Sequence, residues 1–153
     1  MQALDIVCYS QISLIRFGIV KQHVLCLIFD YHLPNKYYIP DTAWINVQKK
    51  HEFNPVHNHT GLFSFVIWLD IPYNINDELA NGPGKQSNNN LAGHFEFAFR
   101  NTLGEHTTVP IPVDKTFNGK ICIFPSAMPH TVYPFYTSND YRITVSGNVN
   151  FSE

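Results

Sequence analysis

The stretch Asn54–Tyr73, NPVHNHTGLFSFVIWLDIPY, sets two histidines one residue apart ahead of a long β-branched and aromatic run. The run is poor in helix formers and reads as a buried strand. On an extended chain residues i and i+2 share a face, so His57 and His59 can both turn inward. Taken alone, such a pair is more often structural or solvent-facing than metal-binding. Its meaning depends on what the rest of the chain brings to it.

Outward from this strand the β character continues. AWINVQKKHEF alternates apolar and polar positions, and GHFEFAFRN puts Phe95, Phe97 and Phe99 on one face. GKICIFPS and YRITVSGNVNF complete the set of buried-looking strands. Pro- and Gly-containing segments separate them. The longest, PYNINDELANGPGKQSNNN, is polar and Asn-rich and predicts a mobile excursion rather than a linker between domains. Short strands with turn signals, and almost no amphipathic helical pattern, predict an all-β fold, a jelly roll of the double-stranded β-helix type. The expected division is residues 1–40 as an N-terminal extension, with strand alternation at Ile12, Leu14 and Arg16 competing with a helical start, and residues 41–153 as the double-stranded β-helix core.

The totals exclude several function classes. The chain has 153 residues, enough for one domain with a real core. Hydrophobic residues make up 44% and charged residues 14%, with a net charge of -2, a globular composition without the basic surface of a nucleic-acid reader. Three cysteines without CxxC spacing argue against a disulfide framework or a zinc ribbon. The apolar N-terminus lacks a basic n-region and is interrupted by Asp5, Arg16, Lys21 and His23, so a soluble, cytoplasmic protein without a membrane span is expected.

Two further residues give the histidine pair its context. His130 follows a buried strand and a Pro-Ser turn in GKICIFPSAMPHTVYP and is the obvious third metal donor. Two imidazoles and a third ligand on one triangular face leave positions for substrate and dioxygen, as in non-haem iron(II) oxygenases. Arg142 lies inside the apolar strand YRITVSGN, where a cation is costly unless it meets an anion. The anion is either an internal carboxylate or a ligand. For a ligand carboxylate the planar guanidinium is well shaped, and Thr144 on the same face adds a hydroxyl.

Together NPVHNHTG…SFVIWL, GKICIFPSAMPHTVYPF and YRITVSGNV resemble the 2-oxoglutarate/Fe(II)-dependent oxygenases, and among them the prolyl-hydroxylase-like oxygenases of marine phages and bacteria. The resemblance covers roughly residues 37–151 and is specific to the superfamily, not to a substrate. It implies a hydroxylase that binds Fe(II) through His57, His59 and His130 and uses 2-oxoglutarate as cosubstrate, decarboxylating it to succinate. The distal carboxylate of 2-oxoglutarate would be held by Arg142 and Thr144, with Asn46 and Gln48 as a supporting polar pair. The substrate would be a small molecule or a protein side chain, and the host a bacterium, the gene phage-borne. The usual first motif of the superfamily carries an acid where this chain has His59. Either His59 ligates, a halide or water takes the place, or Glu96 or Asp70 reaches in; the HxH spacing favours the first.

Two alternatives stay open. GKICIFPSAMPH also comes close to a cupin motif, which would make the chain a cupin-type metal-dependent dioxygenase, although the glutamate expected after HxH is missing and Phe63 and Ser64 stand there. A metal-free jelly roll serving as a carbohydrate-binding or virion structural module is the other.

Overall fold

The computed structural model describes residues 7–9 and 38–151. The chain runs β1 (Val7–Tyr9), β2 (Tyr38–Gln48), β3 (Asn54–His57), β4 (Phe63–Asp70), α1 (Ile75–Asn81), β5 (Phe95–Arg100), β6 (His106–Ile111), a 3-10 turn (Lys115–Phe117), β7 (Ile121–Pro125), β8 (His130–Val132) and β9 (Arg142–Phe151). The strands form two antiparallel sheets, ordered β1-β7-β4-β9-β2 and β3-β8-β5-β6. This is the all-β jelly roll that the strand pattern predicts. Apart from β1 and the first residues of β2, the expected N-terminal extension lies outside the described residues. No helix among the described residues is long and apolar enough to cross a membrane.

The core forms where the two sheets face each other. β4 alternates as its sequence demands, with Ser64, Val66 and Trp68 inward. Phe95 and Phe97 enter from β5, and Cys122 and Phe124 from β7. Phe97 is fully buried, edge-on to both Phe95 (5.0 Å) and Phe124 (4.9 Å). In the larger sheet β9 lies between β4 and β2. Gly147 permits that close approach, because a Cβ there would come within 2.6 Å of the Phe65 ring and 2.5 Å of the Thr42 carbonyl.

Two local features depart from the pattern. In β2 the apolar residues Ile45 (66% exposed) and Val47 (54%) face outward, while Asn46 and Gln48 sit on the inner face opposite Thr144 and Arg142. The polar residues of this strand therefore line the interior, an inversion that composition cannot reveal. The Asn-rich excursion contains α1, which lacked any helical periodicity because it is only seven residues long. Burial of one residue, Glu78, anchors it. The Glu78 carboxylate accepts hydrogen bonds from the backbone N–H groups of Tyr136 (2.7 Å) and Thr137 (2.8 Å) and from the Thr137 hydroxyl.

Truncating Phe97 to alanine removes the ring on which both sheets converge. It should lower unfolding free energy by about 3–5 kcal/mol, read as a shifted urea midpoint at unchanged slope. A loss below about 1 kcal/mol would contradict this placement.

Candidate functional site

β3 is short and its register with β8 shifts between Asn54 and His57, which sets His57 directly opposite His130. The chain then leaves the strand, and the His59 N–H donates to the Ser126 carbonyl (2.9 Å), fixing the loop above the end of β7. Beneath that loop Ser64 Oγ lies 2.9 Å from Ser126 Oγ and donates to Asn148 Oδ1 (2.8 Å). Ser64 and Asn148 are thus the polar floor of the histidine loop. All three hydrogen-bonded side chains are buried, so the loop has little freedom to move.

The result is a cluster of three imidazoles. Ring centroids lie 4.3 Å apart for His57 and His130, 5.0 Å for His57 and His59, and 5.1 Å for His59 and His130. One ring nitrogen from each can be chosen so that all three lie within 4.8 Å of one another. The Nδ1–H of His57 donates to the Pro55 carbonyl (2.7 Å) and that of His130 to the Met128 carbonyl (3.1 Å). A carbonyl only accepts, so in their neutral form both rings carry the proton on Nδ1 and keep a lone pair on Nε2. Burial pushes the His130 pKa down to about 4; its bond to Met128 opposes this, and His57 and His59 push further down. His59 is lowered by burial and then by His57. Neutral imidazoles are the form that binds metal, and imidazole suits iron, zinc, copper and nickel.

The second feature of the cleft is Arg142, 2% exposed. Its Nε donates to Gln48 Oε1 (3.1 Å), and its Nη1 donates to the Tyr73 hydroxyl (3.0 Å) and the Tyr133 carbonyl (3.0 Å). Phe135 lies under the guanidinium at 5.4 Å and stacks on Tyr73. Every one of these partners is neutral. Arg142 Nη2 and Gln48 Nε2 are buried donors without an acceptor. An unpaired buried donor and an uncompensated buried charge are both costly, so these two donors are available to a ligand that can accept hydrogen bonds. The internal ion pair that the sequence left open for Arg142 does not form among the described residues.

One cleft contains His57, His59, His130, Arg142, Thr144, Asn46 and Gln48 among its lining residues. The Asn46 amide donates to Thr144 Oγ1 (3.3 Å) and Ser146 Oγ (3.1 Å), tying β2 to β9 across its floor. Arg142 and Ser146 are four residues apart, about 13 Å along the strand. Trp44, opposite Ser146, lies 5.3 Å from the His59 ring. Trp44 is therefore a cleft wall rather than the core residue its aromatic character suggests, whereas Trp68 is core. Sequence reasoning also missed Tyr73, whose place at the end of the β4 run gives no sign that its hydroxyl meets Arg142.

The carboxylates considered as stand-ins for the missing acid are elsewhere. Glu96 alternates with the core residues Phe95 and Phe97, so it faces away from the cleft, and the Tyr133 hydroxyl donates to it at 2.8 Å. Asp70 is exposed at the far end of β4. Neither joins the histidine cluster.

A double-stranded β-helix whose facing sheets gather three imidazoles and a buried, unpaired guanidinium in one cleft has the architecture of a metal-dependent oxygenase. The chain belongs to the 2OG-Fe(II) oxygenase family: the family model described as "Putative 2OG-Fe(II) oxygenase" matches residues 42–148. The match spans the histidine cluster and Arg142. No curated protein matches the chain.

The depressed pKa of His130 has a sign that can be tested. Between about pH 6.5 and 4 the unfolded chain holds a proton at this histidine that the folded chain does not. The unfolded state then binds more protons, so the metal-free protein should lose stability as pH falls through this window. Denaturation midpoints measured with chelator present should fall less steeply with acid in His130→Gln; parallel curves would contradict the assignment.

Proposed function

We propose that this chain is an Fe(II)- and 2-oxoglutarate-dependent dioxygenase that hydroxylates a small molecule or a protein side chain and converts 2-oxoglutarate to succinate and carbon dioxide. The observation that carries the reading is the buried Arg142 guanidinium, with an unmet donor and only neutral partners, in the same cleft as three imidazoles. Residues 41–153 act as the catalytic core.

His57, His59 and His130 would hold the iron, each through one ring nitrogen, with His59 taking the place of the usual acid. Arg142 would hold the distal carboxylate of 2-oxoglutarate, using its free Nη2 together with the free Nε2 of Gln48 and the Thr144 hydroxyl. When bound, iron would let dioxygen act as the oxidant, one oxygen atom entering a substrate C–H bond and the other the succinate formed as 2-oxoglutarate gives up two electrons and carbon dioxide. The protein's own contribution is orientation and exclusion of water. Backbone carbonyls two residues upstream keep His57 and His130 in the tautomer with Nε2 free. Gln48, Tyr73 and the Tyr133 carbonyl hold the guanidinium in one orientation before any anion arrives, so little ordering remains to be done on binding. Asn46 fixes the Thr144 hydroxyl in the same way. Trp44 covers the His59 side of the cleft with an apolar wall.

With Fe(II), ascorbate and oxygen, the protein should form succinate from 2-oxoglutarate. His57→Ala should abolish this, and Arg142→Gln should raise the KM for 2-oxoglutarate at least about tenfold, the loss expected for one charge-assisted hydrogen bond, with far-UV circular dichroism unchanged. Succinate formation that survives both substitutions would refute the reading.

A further inference from the structure

Arg142 and Glu78 are both buried, and both are surrounded by neutral partners. Arg142 donates to Gln48, to the Tyr73 hydroxyl and to the Tyr133 carbonyl. Glu78, fully buried on α1, accepts from the backbone N–H groups of Tyr136 and Thr137 and from the Thr137 hydroxyl. Three donors aimed at one carboxyl group favour its ionised form. The cation and the anion do not touch; Tyr73 stands between them.

The Tyr73 hydroxyl accepts from Arg142 Nη1 at 3.0 Å. A Cβ on Gly93 would come within 2.8 Å of Tyr73 Cε2 and 3.4 Å of Glu78 Cγ, so the Tyr73 ring and the Glu78 side chain pack against the same α-carbon. Residues 133–137 join the two charges a second time. The Tyr133 carbonyl and the Phe135 ring hold the guanidinium, and the Tyr136 and Thr137 N–H groups hold the carboxylate. A second acid adjoins Tyr73 from another element: Asp114 caps the 3-10 turn whose Lys115 N–H donates to the Tyr73 carbonyl (3.1 Å). Burial pushes the Tyr73 hydroxyl pKa up, Arg142 pulls it down, and Glu78 and Asp114 push it up, so the fields of all three charges meet at this oxygen.

We infer that Glu78, assisted by Asp114, is the counter-charge of Arg142 and limits how tightly the guanidinium holds a dicarboxylate. This rests on the oxygenase reading proposed above and names the residues that set the affinity of its anion site. In the empty cleft the two acids compensate the buried cation across Tyr73 while leaving Nη2 free for a ligand. An arriving carboxylate meets their repulsion as well as the attraction of Arg142. The same restraint acts on succinate, which shares the distal carboxylate, and so favours release of the product.

The test is calorimetric titration of the full chain, loaded with Co(II), with 2-oxoglutarate and separately with succinate. Glu78→Gln should tighten both by at least about threefold, a modest share of the interaction between unit charges roughly 10 Å apart in a buried site. Glutamine keeps Oε1 for Thr137 but sets a donor against the Tyr136 N–H, so structural damage would weaken binding, opposite to the expected sign. Asp114→Asn preserves the bond from the Thr116 N–H and should tighten both ligands by a smaller factor, because Asp114 is only half-buried. Asp77→Asn, at an exposed position on the same helix, should change neither. Tighter binding in Glu78→Gln, with Asp77→Asn at the parent value, supports the inference. Unchanged or weaker binding in a folded Glu78→Gln overturns it, as does equal tightening in Asp77→Asn. If Glu78→Gln does not fold, Asp114→Asn decides by the same criterion. Failure of the parent to bind Co(II) or 2-oxoglutarate at all would instead bring down the oxygenase reading, and this inference with it.

Discussion

A guanidinium buried without a carboxylate is the constraint around which the cleft is organised. Arg142 is held by Gln48 from β2, by Tyr73 beyond β4 and by the Tyr133 carbonyl beyond β8, and it rests on Phe135. One side chain thus ties together three separate stretches of the chain, all with neutral partners. The solvation lost on burial is only partly returned by such partners, and Nη2 receives nothing. A fold selected for stability alone would fill this position with an apolar residue. The arrangement makes sense as a site kept ready for an anion, and it accounts for the inverted polarity of β2, whose amides must face inward to reach Arg142 and Thr144.

The histidine cluster follows a second economy. His57, His94 and His130 each place Nδ1 within hydrogen-bond distance of the carbonyl two residues upstream, at 2.7, 3.0 and 3.1 Å. A local turn therefore sets the tautomer without any partner from elsewhere in the fold. What the tertiary structure adds is convergence, through the β3–β8 register that sets His57 opposite His130 and the Ser126 carbonyl that catches the His59 amide. Rigidity comes from the buried Ser64, Ser126 and Asn148 side chains beneath the loop.

Much of this was legible in the residues. The alternation in Phe63–Asp70 and Phe95–Arg100 survives as burial, because each strand has one face on the core and periodicity records that directly. The order of HxH, His130 and Arg142 gathers in one cleft as the resemblance implied. What stayed hidden depended on facts that periodicity does not carry. Asn46 and Gln48 point inward because of what β9 sets opposite them, not because of their own polarity. Glu96 could be excluded as a third ligand only once Phe95 and Phe97 were seen to claim the inner face of β5. Helix α1 is fixed by one buried carboxylate and was invisible in a stretch dominated by Asn and Gly. Trp44, on β2 at the edge of its sheet among the described residues, forms a wall of the cleft, which its aromatic character does not indicate.

The central claim is that one cleft binds a divalent metal through three histidines and, beside it, a dicarboxylate through Arg142. Anaerobic titration of the purified chain with Fe(II) and then 2-oxoglutarate tests it most directly, because chelation of iron by the keto acid produces a weak visible charge-transfer band. A band should appear that saturates at one iron and one 2-oxoglutarate per chain and that neither component produces alone. A chain that takes up no iron, or that takes it up and shows no band at saturating 2-oxoglutarate, would contradict it.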